Sequence, residues 1–129
     1  MHDEESQVGL WYSTNGGRNI DALGPESGYI LRDEELGDPE EPEDADARIT
    51  LEHGRVENPG FFVTAQLYGG WLFLTVRRST QAEGETLYEA LREELETLTA
   101  LLPYEGERNL AGKVVDLNAA VANLEARYA

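Results

Sequence analysis

The 129 residues are enough for one domain with a single modest core, and the 40% apolar content sets the chain apart from wholly disordered acidic sequences. Cysteine is absent, which excludes disulfides, thiolate nucleophiles and cysteine-ligated metals. A net charge of −16, from 26 acidic against 10 basic residues, disfavours nucleic acid and leaves a basic protein as the electrostatically matched partner. Acidity that serves only solubility reads equally well from the same composition.

Taken in chain order, residues 1–6 are polar and are expected to form a flexible tail. The first thirty residues lack an apolar signal core, and no run approaches the ~20 apolar residues of a membrane span. A cytoplasmic protein with no membrane contact is expected. Val8, Leu10 and Tyr12 alternate with Gly9, Trp11 and Ser13, predicting a strand that ends at Thr14-Asn15-Gly16-Gly17. A loop follows, with a single turn around Ile20 to Leu23, and Tyr29 to Arg32 reads as a short second strand.

Residues 33–46 hold nine of the acids, together with Pro39 and Pro42, so the rest of the chain carries only −7. Prolines among like charges predict an extended, solvated loop, acidic and either functional or disordered. Ala47, Ile49 and Leu51 alternate with Arg48, Thr50 and Glu52, predicting a strand with one face in water. Phe61 to Tyr68 and Trp71 to Arg78 flank Gly69-Gly70, a hairpin signal because both turn positions accept φ > 0. Pairing across those glycines places Leu67 opposite Leu72, Ala65 opposite Leu74, Val63 opposite Val76 and Phe61 opposite Arg78.

Two capping-box patterns follow, Thr80 with Glu83 and Thr86 with Glu89, and Gly84 favours the later helix start. Leu87, Leu91, Leu95, Leu98 and Leu102 form one apolar stripe ending at Pro103. Residues 104–108 read as a linker. Leu110, Val114, Leu117, Val121, Leu124 and Tyr128 then form a heptad-like seam, which packs against the rest of the chain or against a second copy. The expected fold is α+β, an antiparallel sheet of about five strands, meander-like and ending in a Gly-Gly hairpin. Two C-terminal amphipathic helices pack on one face, and residues 1–129 make a single domain.

Few residues invite chemistry. His53 and Glu52 alternate on a strand and form no dyad, and one histidine without cysteines cannot build a typical zinc site. Asp38, Glu40 and Glu43 lack the glycine and spacing of a calcium loop, and Thr14 to Asn19 lacks the lysine and spacing of a phosphate loop. Arg77-Arg78 could bind an anion, although pairing with the glutamates of the following helix is the simpler reading. No catalytic residue, metal site or cofactor is assigned, and the sequence leans against an enzyme.

The hairpin's second face carries Phe62, Gln66, Tyr68, Trp71, Phe73 and Arg77, with Thr64 and Thr75 among them. A face of aromatics interleaved with polar residues suits a partner-binding surface, since Trp, Tyr, Phe and Arg concentrate at interface hot spots. The alternatives are cover by the chain itself or by a second subunit in a homodimer. The function expected is thus a non-catalytic, acidic protein-interaction protein, inhibitor- or immunity-like or chaperone-like. The rival is a small-molecule binder or enzyme with a pocket between the sheet and residues 15–32, lined by Tyr12, Asn15, Arg18 and Tyr29.

Overall fold

The computed structural model describes residues 9–103 and 108–128. Five strands, β1 (Leu10–Ser13), β2 (Tyr29–Gly37), β3 (Ala47–His53), β4 (Phe61–Leu67) and β5 (Leu72–Arg78), pair antiparallel in sequence order. Two helices follow, α1 (Gln81–Thr99) and α2 (Leu110–Arg127). The architecture is α+β, a five-strand antiparallel meander followed by two C-terminal helices. None of the described helices is long and apolar enough to cross a membrane. The proposed tail at 1–6 and most of the linker after Pro103 lie outside the described residues.

The β4–β5 register runs from Phe61 opposite Arg78 to Leu67 opposite Leu72, and Gly69 and Gly70 adopt φ +94° and +80° between them. Alternation then assigns the faces. Ala47, Ile49, Leu51, Val63, Ala65 and Leu67, each at most 1% exposed, join Leu87, Leu91, Leu95 and Leu98 of α1 and Leu117, Val121 and Leu124 of α2 in one apolar cluster. α1 lies over β3 and β4.

Three expectations change. β2 continues through Asp33–Gly37, where an acidic loop is expected. The strand holds because each acid finds its own partner. Asp33 takes Arg48, Glu34 accepts the hydroxyl of Tyr88, and Glu35 accepts that of Tyr68. The non-strand part of the segment is short, with Pro42–Asp44 a 3₁₀ turn.

α1 starts at Gln81, capped by Thr80 and Glu83, rather than after Gly84. Gly84 is a contact point and not a breaker, since a Cβ there would stand 3.2 Å from both Leu51 Cδ1 and Phe61 Cβ. Its missing side chain lets the helix approach the sheet. The third change concerns Thr50 and Glu52. Both are fully buried, so the second face of β3 is covered at these two positions and only Arg48 on it reaches water.

Candidate functional site

The face away from the helices, here the outer face, is built from three rows of paired residues. One row runs Ile30, Glu52, Phe62, Arg77, the next Asp33, Thr50, Thr64, Thr75, and the last Tyr12, Glu35, Arg48, Gln66, Phe73. The first row is roofed by two loops. Residues 24–28 close over Glu52, whose Oε1 accepts the N–H groups of Glu26 and Gly28 at 3.0 Å each. A side chain at Gly24 would collide with the Glu52 carboxyl group at 2.5 Å, so the glycine is what permits the approach. Residues 54–60 close over Phe62, and Arg77 Nε donates to the Pro59 carbonyl at 2.9 Å.

The middle row holds the Asp33 carboxylate, with its side chain 1% exposed. Arg48 grips it with two hydrogen bonds, Nε to Oδ1 at 2.8 Å and Nη2 to Oδ2 at 2.6 Å. Asn19 Nδ2 adds a third at 2.9 Å. Burial by itself would push the Asp33 pKa up, but the bonds from Arg48 and Asn19 and the Arg48 charge outweigh it and hold the group below the usual carboxylate value. Glu52 moves the other way, because its burial exceeds what two N–H donors return. Thr64 and Thr75 share a hydroxyl hydrogen bond of 2.9 Å.

The last row is open. Phe73 is 61% exposed, Gln66 is half-buried, and Tyr68, at the turn beside this row, donates to Glu35 Oε2 at 2.8 Å. Tyr12 closes the row on β1. Burial and then Glu35 push its phenol pKa up to about 12, with smaller contributions from Asp38 and Glu43 of the adjacent acidic turn. That turn, Asp38 to Asp44, is exposed throughout.

The six residues assigned to a partner face therefore separate. Gln66 and Phe73 pair directly, with Tyr68 beside them on the open side. Phe62 is 5% exposed, and Arg77 serves the loop over it. Trp71 leaves the face altogether and packs against the helix-side cluster. It lies in the turn, since β4 ends at Leu67 and β5 starts at Leu72, and strand alternation does not govern it.

Nor are the four residues of the rival pocket brought together. Asn15 and Arg18 bond to each other at 2.8 Å, and Tyr12 stands opposite Glu35. Tyr29 stands opposite His53, at the other end of the sheet. Arg77 and Arg78 do not pair with the α1 glutamates, and Arg32 takes Glu85 and Glu89 instead.

Sequence reading missed Asp33, Arg48 and Asn19 as a unit. The available signal was one arginine in an otherwise alternating strand, too common to single out. Among the described residues, no group of three or more histidines and acids could hold a metal ion. The chain matches no protein-family model, no curated protein and no solved structure.

Proposed function

We propose that this is a non-catalytic binding protein that holds a basic protein partner on the open half of its outer sheet face, with Phe73 as the apolar anchor. The observation that carries this reading is the exposure of Phe73. It is 61% exposed on the same face that buries Phe62 to 5%. It stands beside Gln66 and in one row with Arg48, Glu35 and Tyr12, so the anchor has polar neighbours already fixed in place. Strands ~4.8 Å apart make this row roughly 20 Å long, the scale of a standard interface on one partner.

The acidic turn from Asp38 to Asp44 flanks the Tyr12 end and supplies charge for a basic surface. An inhibitor- or immunity-like role, in which an acidic protein occupies a basic protein's working surface, fits this pairing of anchor and charge. The cytoplasm is the compartment in which this role is proposed.

The experiment is affinity capture from the native lysate with the wild type and with Phe73→Ala, followed by a salt series on the purified pair. The expected result is a basic partner, retained by the wild type, weakened at least tenfold by Phe73→Ala and released as salt rises. A partner held equally by both proteins would remove Phe73 from the interface. Light scattering that shows a concentration-dependent dimer lost in Phe73→Ala would reassign the face to a second copy of this chain.

A further inference from the structure

We infer that the cavity between the start of α1 and the last turn of α2 binds a small amphipathic carboxylate, with Arg78 as the anion anchor. The cavity is an open groove of about 450 Å³, with Ala82, Glu83 and Thr86 exposed along it, and its volume lies within the roughly 300–1,000 Å³ of small-molecule sites. Two of the side chains that line it, Ala82 and Ala90, are small. Leu117, Val121 and Leu124 seat α2 in the core, and the seam then runs on to the half-buried Tyr128. Across from Tyr128, α1 offers Ala82 and Ala90, which leave the volume unfilled above Leu87.

The charges decide the ligand class. The Glu83 carboxylate is committed to the helix start, where it accepts the Thr80 N–H at 3.1 Å. Arg32, Arg48, Arg55, Arg92 and Arg127 all have carboxylate partners. Arg18, Arg77 and Arg78 have none among the described residues: Arg18 bonds to the Asn15 side chain, Arg77 to the Pro59 carbonyl, and Arg78, whose guanidinium donates only to the Arg77 carbonyl at 3.0 Å, is the one of the three that lines this cavity. In a chain with 26 acids, an arginine left without a carboxylate beside an apolar cavity retains its charge for a ligand.

An uncharged lipid would leave that guanidinium unmatched, and a polyanion would meet both Glu83 and the overall −16. One carboxylate on an apolar stem satisfies the arginine fork and the apolar wall together, with the Thr86 hydroxyl available beside it. Arg78 belongs to the helix-side row with Phe61 and His53, so this site is separate from the Phe73 face and either proposal can fail without the other.

Titration of octanoate into the ¹⁵N-labelled full chain, with octan-1-ol as the uncharged match, tests the site. Octanoate is expected to shift the amides of Ala82, Thr86, Leu87, Ala90 and Tyr128 and to bind at least tenfold more tightly than octanol. Arg78→Gln is expected to remove that preference, and Ala90→Trp, which fills the cavity, to abolish both. Equal affinity of the wild type for octanoate and octanol overturns the proposal without any variant. Shifts centred on Leu10, Val56 or Phe73 overturn it as well.

Discussion

Phe62 and Phe73 stand on the same face of neighbouring strands, two rows apart with Thr64 and Thr75 between them, and their environments are opposite: 5% exposed against 61%. The sheet does not distinguish them. The difference lies in the loops at residues 24–28 and 54–60, which cross one end of the face and leave the other bare. The covered end is packed for stability, with a buried aromatic, and a buried carboxylate and an arginine Nε each bonded to a loop backbone. At the open end, a large apolar side chain faces water beside fixed polar groups and an acidic turn, and the exposure of Phe73 itself adds little to the stability of the isolated chain.

This contrast can be broken by mutation, starting where the expected effect is largest. Phe62→Ala should cost about 3–5 kcal/mol in urea denaturation, the loss of a buried aromatic with its cavity. Phe73→Ala should stay within about 0.5 kcal/mol of the wild type, as an exposed position does. Similar losses at the two positions would mean that the open end is also structural.

Between these extremes lies the Asp33–Arg48 pair. Asp33→Asn should cost about 3 kcal/mol at neutral pH, toward the low end for breaking a buried pair, because the Arg48 side chain is 24% exposed and can reach water. The Asp33 pKa is depressed in the fold, so its contribution is present above the ordinary carboxylate pKa of 3.8 and is lost as pH falls through the depressed value. The gap between wild type and Asp33→Asn should therefore close in acid, which a pH series of urea melts would show.

Glu52 should give the opposite slope with a smaller amplitude. Its pKa is raised by burial, so the folded state favours the proton, and stability is lost as pH rises from 4.5 through the raised value. Glu52→Gln should flatten that slope and change stability at pH 7 by no more than about 1 kcal/mol, since the amide removes a buried charge but keeps an acceptor for the two N–H groups. A loss of several kcal/mol would show that the charge itself, rather than the acceptor, holds the 24–28 loop.

Local rules were sufficient for much of this molecule. The class, the strand order, the β4–β5 register and the leucine stripe of α1 follow from alternation, turn glycines and helical spacing, all of which act over a few residues. Misreadings occur where a distant residue changes what a local signal means. Gly84 has poor helix propensity, but its tight contact with Leu51 and Phe61 favours a residue without a side chain there. Asp33 to Glu35 resemble a solvated charge run until Arg48, Tyr88 and Tyr68 are placed beside them.

The candidate surface was legible in part. Phe73, Gln66 and Tyr68 stand on the open side where the pattern places them, whereas Phe62 is buried under a loop and Trp71 packs against the helix-side cluster. Within β3, β4 and β5 the sequence by itself determined which side chains share a face, because the two-residue period of a regular strand leaves no choice once register is set, whereas Trp71 in the turn and the bulge between Ile30 and Arg32 in β2 escape that period. Tertiary structure alone decided which part of that face stays open, because loop cover depends on hydrogen bonds such as Gly28 N–H to Glu52, made across 24 residues and carrying no periodic trace in the chain.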